Sequence, residues 1–152
     1  MKNLILILTI LLPLDAISES QIIILQNEKS QKLHGVLDSH NDRGKDVVLL
    51  VHGTRGHQKM EIIDSIKSIL SENQIDSLSI NLSYGEELRE NSFFSCDKLH
   101  RHLESSSIGE LLKWYKYLRT QKYSNIYLLG HSRGGLNVLQ LSEIISHNNI
   151  GH

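Results

Sequence analysis

The 152-residue chain has a single cysteine, Cys96, so no intrachain disulfide can form and its stability must come from its core alone. It has no excess of charge. Sixteen Lys and Arg stand against 17 Asp and Glu, for a formal net charge of −1, which gives no case for nucleic acid or an anionic membrane as a partner. Long apolar runs are missing too: the longest, Leu4 to Leu14, is interrupted by Thr9 and Pro13 and is too short to span a bilayer as a helix. There is no repeat, no low-complexity tract and no linker, so the chain reads as one domain behind a short leader. Phosphate-binding loops are also excluded. No Gly-Lys-Ser/Thr run occurs, and the glycines lack the spacing of a dinucleotide site.

The leader is the first feature present. Met1-Lys2-Asn3 supplies a positive start, the apolar run follows, and Ala16-Ile17-Ser18 sets small residues at the two positions a signal peptidase reads. Residues 1–18 therefore read as a signal peptide and residues 19–152 as the mature domain, exported to the periplasm or beyond. No cysteine lies near the cleavage point to carry a lipid, and no stable membrane insertion is expected after cleavage.

Behind the leader, Gln21–Leu25 and Lys32–Asp38 are strand-like and suit a hairpin at a sheet edge. Asp46–Val51 is a solid apolar run, the pattern of a strand buried on both faces. Lys59–Glu72 has Ile62, Ile63, Ile66, Ile69 and Leu70 at helical spacing, and Asp76–Leu82 reads as an alternating strand. Ser83 to Ser106 is polar and irregular. Ser107-Ile108-Gly109-Glu110 has capping-box spacing and predicts a helix start, with apolar residues continuing to about Tyr123. Ile126–Leu129 is a further short strand and Leu136–Ile145 a last helix. Strand and helix in alternation predict the α/β class: a mostly parallel sheet with helices on both faces.

Between that last strand and helix stands Gly130-His131-Ser132-Arg133-Gly134, a G-x-S-x-G motif. At a sharp strand-to-helix turn the serine takes a strained backbone that lifts its hydroxyl over the sheet. Gly130 and Gly134 are needed because a side chain at either would strike the neighbouring strand or helix. The N–H of Arg133, at the helix start, is free to stabilise an oxyanion. Upstream, Val51-His52-Gly53-Thr54 closes the solid strand. Gly53 lets the backbone turn close over the serine, the Thr54 N–H is the second candidate donor, and His52 reads as an orienting residue rather than a base.

The order strand, His-Gly loop, helix, strand, helix, Gly-x-Ser-x-Gly, helix resembles the α/β-hydrolase superfamily over roughly Lys32 to Ile145. The resemblance implies a nucleophile at Ser132 and oxyanion donors at Thr54 and Arg133. It also implies hydrolysis of a small-molecule ester, thioester or amide through an acyl-enzyme, without a cofactor.

The chain departs from that pattern after the serine. In the family the acid and histidine follow the nucleophile, yet only Glu143 and His147 are available here. Fifteen residues of helix at ~1.5 Å each would set His147 ~22 Å from Ser132, too far for a base. The expectation is the N-terminal part of a hydrolase fold, a fragment inactive as it stands, whose Ile126–Leu129 strand leaves an apolar edge open to self-association. Cys96, His100 and His102, with His57 and Asp97 nearby, offer metal-ligand types in an irregular stretch. One cluster without a second Cys pair reads instead as a polar loop over the serine, with no metal. The competing class is a non-catalytic exported α/β module that binds through the same cleft.

Overall fold

A computed structural model describes residues 18–40, 46–89, 91–98 and 103–147. Residues 1–17 of the expected leader, together with His100 and His102, lie outside the described residues. Among those described, no helix is long and apolar enough to cross a membrane.

The elements in chain order are β1 (Glu19–Gln26), β2 (Lys32–Ser39), β3 (Asp46–Val51), α1 (Glu61–Glu72), β4 (Asp76–Asn81), α2 (Glu104–Thr120), β5 (Asn125–Gly130) and α3 (Arg133–His147). They build a five-stranded mixed sheet in the order β1-β2-β4-β3-β5. β1 and β2 form the expected edge hairpin, paired antiparallel from Glu19 opposite Ser39 to Gln26 opposite Lys32. Its turn is closed by the Asn27 side chain, whose Oδ1 accepts the Lys29 and Gln31 N–H groups at 2.9 and 3.0 Å. β2 runs antiparallel to β4, while β3 pairs parallel with β4 and β5.

β3 explains why the sheet carries helices on both faces. Val47, Leu49 and Val51 point into a core shared with Leu111, Trp114 and Leu118 of α2 and Val138 and Leu141 of α3. Val48 and Leu50 point the other way, onto Ile63 of α1. With period two and both faces covered, every position but the first is buried, which is the origin of the solid apolar run. Fully burying side chains of this size stabilises the fold by about 1.5–3 kcal/mol each.

β4 alternates in chemistry but not in burial. Leu78, Ile80 and Leu82 join the core, and the intervening Ser77, Ser79 and Asn81 are buried as well. The chain between β3 and α1 bonds to Ser79 and Asn81. Gln58 donates its N–H to Asn81 Oδ1 at 2.7 Å, accepts the Ser79 hydroxyl at 3.1 Å and donates its amide to His34 Nδ1 at 2.7 Å. A chain of directional bonds thus takes the place of apolar packing.

At the N-terminal ends of the parallel strands, buried Asp76 opens β4. Its Oδ1 accepts the N–H and the Nδ1–H of His40 at 2.9 and 3.0 Å, and its Oδ2 accepts the Tyr123 hydroxyl at 2.8 Å. The carboxylate ties the end of β2 to the α2–β5 connection.

The capping box expected at Ser107–Glu110 is not there. α2 begins at Glu104, its N-cap Leu103 makes no side-chain cap bond, and Ser107 and Glu110 are buried inside the helix. Glu110 reaches across to β4's far end, where its carboxylate accepts the N–H of Ser83 at 2.9 Å and the Ser83 hydroxyl. The first turn, Glu104 to Ser106, is polar and shows no apolar period, which is why the sequence pattern starts the helix late. α3 likewise begins earlier than its apolar period, at Arg133 directly after the serine.

Candidate active site

The residues singled out in the sequence meet at the C-terminal ends of β3 and β5. Ser132 has φ +54°, the left-handed region a non-glycine residue rarely occupies, at a typical cost of ~1–3 kcal/mol. Its surroundings hold it there. A Cβ on Gly130 would lie 2.1 Å from the Gly134 carbonyl oxygen, and one on Gly134 would lie 2.4 Å from that of Val51. Neither position can carry a side chain unless the backbone moves. The His131 N–H extends the β3–β5 pairing by donating to the Val51 oxygen at 2.9 Å. Ser132 is exposed.

Gly53 lies directly against the turn: a Cβ there would be 3.2 Å from Ser132 Cβ and 3.0 Å from the His131 ring. The strand-end loop and the serine turn thus face one another. Neither the Thr54 N–H nor the Arg133 N–H donates to another group among the described residues, so both are available as donors beside the serine.

His52 orients this loop. Its ring is buried, with Nδ1–H donating to the Gly53 oxygen at 2.7 Å and Nε2 accepting the Leu82 N–H at 3.1 Å. Both nitrogens are used, so the neutral tautomer is set. Burial holds its pKa down from 6.5 to about 4, against the smaller opposing effect of the Gly53 bond. A ring so engaged cannot shuttle protons to Ser132.

Sequence reasoning missed Tyr84 and Arg89. Arg89 is buried, and its guanidinium donates to the carbonyl oxygens of Leu82 at 2.8 Å, Ser92 at 3.0 Å and Arg55 at 3.2 Å, and also to that of Gly56. It gathers the loops after β3 and β4 around one cation. Its Cζ lies 4.9 Å from the Tyr84 ring centre. Both residues sit in the aperiodic stretch, where no sequence signal marks them.

The other sequence candidates stay apart from the serine. His147 ends α3 and sits 3.9 Å from Glu143, both exposed, so the structure does not bring either to Ser132. Among the described residues the Ser132 hydroxyl has no hydrogen-bond partner. Cys96 is exposed, the edge of the His57 ring packs on Phe93 with centres 5.0 Å apart, and no three His, Cys, Asp or Glu side chains among the described residues converge on a metal position. A cavity of about 440 Å³ opens beside Tyr84, with buried Glu110 in one wall and Lys29, Lys98 and Lys113 among its lining residues. Burial pushes the Glu110 carboxyl upward, and its Ser83 bonds oppose that.

Comparison with solved structures identifies the architecture. Est1E from Butyrivibrio proteoclasticus, solved with ferulic acid bound, superposes with a TM-score of 0.68 at 21% identity, over 82% of this chain and 48% of that one. The fold is α/β-hydrolase-like. The Pyrococcus furiosus esterase Pf2001 matches with a TM-score of 0.60 at 18% identity, over 92% of this chain and 50% of that one. Brefeldin A esterase, described as a bacterial homologue of human hormone sensitive lipase, matches at 0.67 and 12% identity over 93% and 39%. No protein-family model and no curated protein matches the chain. The chain spans about half the length of the Est1E chains it matches. In that frame the glycine-flanked serine turn and the His-Gly loop stand at the carboxyl ends of the strands, where open α/β sheets form their ligand crevice.

Proposed function

We propose that this chain is the serine-bearing part of an exported hydrolase acting on a small-molecule ester, thioester or amide through an acyl-enzyme. Ser132 is the nucleophile, and the N–H groups of Thr54 and Arg133 are the oxyanion donors. The observation that carries this reading is the +54° φ of Ser132, held between Gly130 and Gly134 with Gly53 packed against it. A strained serine is maintained only where neighbouring backbone over-determines it, and such strain concentrates at reacting groups.

In the proposed reaction Ser132 Oγ attacks the acyl carbonyl while a general base takes its proton, and charge develops on the carbonyl oxygen between the two N–H groups. Collapse expels the alcohol, thiol or amine with that proton, and water then releases the acid by the reverse sequence. We propose that the histidine base and its acid come from polypeptide other than the described residues. His52 is committed to the loop and His147 lies at the far end of α3. On the same proposal the base and acid lie beyond these 152 residues, and this chain alone turns over esters negligibly.

The test is fluorophosphonate labelling together with short-chain ester hydrolysis, on this chain and on a version continued through its natural downstream sequence. Slow labelling of the first and rapid labelling and turnover of the second, both abolished by Ser132→Ala, support the reading. Label on another residue of the continued version overturns the elbow assignment, and an inert continued version favours the non-catalytic binding module. Export is tested by intact mass from the envelope fraction: loss of residues 1–18 supports it, and a cytosolic protein retaining them refutes it.

A further inference from the structure

We infer that Tyr84 is a positioning residue that holds the Thr54 oxyanion donor in register with Ser132, an assignment that rests on the serine-hydrolase reading above. Thr54 lies between two peptide groups. The Gly53 carbonyl belongs to the one before it and the Arg55 N–H to the one after. The Tyr84 hydroxyl meets both, accepting the Arg55 N–H at 3.2 Å and donating toward the Gly53 oxygen at 3.5 Å. One phenol oxygen thus brackets both soft dihedrals of Thr54.

The same carbonyl also accepts His52 Nδ1–H at 2.7 Å and the Gly56 N–H at 3.0 Å. In a trans peptide the C=O and the following N–H point in opposite directions. Donors converging on the Gly53 oxygen from inside the loop therefore turn the Thr54 N–H away from themselves, while Gly53 packs against Ser132. His52 and Gly56 act on the first peptide alone. Among the described residues only Tyr84 also bonds the second, which leads into Arg55, strained at φ +58°.

Tyr84 is itself locked. Its own φ is +50°, and the preceding Ser83 is tied to buried Glu110 through both its N–H and its hydroxyl. Its ring meets His52 and Phe94 edge-on at 5.9 and 5.6 Å, under the Arg89 guanidinium. Burial raises the phenol's pKa, so the proton it donates stays in place at neutral pH.

Tyr84→Phe removes the oxygen and keeps the ring, and two readouts separate positioning from mere packing. The first is ¹⁵N relaxation at the Thr54 and Arg55 amides. The expected result is a fall in order parameter from about 0.85, the value of rigid backbone, toward 0.6, with α2 and α3 unchanged. The second is the rate of Ser132 labelling by a fluorophosphonate, expected to fall about tenfold, a fraction of what losing an oxyanion donor outright costs. Unchanged order at Thr54, or unchanged labelling of a readily labelled protein, overturns the assignment and leaves the nucleophile standing. A continued version that never labels, with Thr54 still loosened by the substitution, keeps the positioning and refutes the hydrolase reading. Should Tyr84→Phe not fold, amide exchange in the wild type decides: Arg55 exchanging at least tenfold slower than an exposed loop amide supports the bracket, and exchange at the free rate overturns it.

Discussion

Acidification should strike this fold first at His52. Its pKa lies near 4 in the folded chain against 6.5 when exposed, so between those values the unfolded chain binds a proton that the folded chain refuses. Stability is then fully present above pH 6.5 and declines as the pH falls toward 4. A gap of about 2.5 pH units at 1.36 kcal/mol each gives a loss of about 3 kcal/mol, a sizeable share of a small domain's stability. The imidazole is 1% exposed, so solvent screening removes little of this. Glu110 works in the other direction. Its folded pKa is raised by burial, so its contribution grows as the pH falls and partly masks that of His52. The assay is therefore a difference: urea unfolding of wild type and His52→Asn at intervals from pH 7 to 4. Asparagine retains a donor near Nδ1 for the Gly53 oxygen but cannot take up a proton. The gap between the two proteins should favour wild type at pH 7 and shrink by about 3 kcal/mol by pH 4. A gap that stays constant across the range would refute the reasoning, since the acid sensitivity would then arise elsewhere.

Ser132→Gly should stabilise the fold by about 1 kcal/mol in denaturant unfolding, because glycine carries no penalty at φ +54°, while abolishing labelling. Equal or lower stability would mean that the turn is not strained as described. Asp76→Asn should cost about 2–3 kcal/mol in the same measurement, since an amide nitrogen must replace one oxygen that now faces a donor from His40 or Tyr123. A loss under 0.5 kcal/mol would show that the pin contributes nothing.

What the sequence made legible was whatever depends on a short range of residues. β3 announced itself because a strand covered on both faces needs apolar residues at every step, and α1 because one apolar stripe suffices for a helix. The serine turn was legible because its steric demands fall on Gly130 and Gly134, each two residues from Ser132 in the motif. Ser107 and Glu110 misled for a related reason. Their spacing suits a capping box, but it equally sets two side chains one turn apart on a single helix face, and here both are buried, with Glu110 bonded to Ser83. Tyr84 and Arg89 were beyond reach, because their partners are backbone groups 3 to 34 residues away in loops without a period. The base for Ser132 was not found in the sequence, and the described residues place no histidine ring on its hydroxyl.

β4 offers two surfaces that should tolerate change very differently. Leu78, Ile80 and Leu82 sit in a core where volume and shape are the only demands, so neighbouring hydrophobes can be exchanged there with small losses. Ser79 and Asn81 are bound by direction: each gives or takes specific hydrogen bonds with Gln58, and no residue of similar size reproduces that chemistry. Drift along this one strand should therefore run with a period of two, free at one residue and frozen at the next. An engineer seeking to reshape the crevice would do well to vary the apolar side and leave the polar side alone. The polar side carries the loop that begins at His52 and Gly53, and a change made for packing beneath it would be felt at the serine.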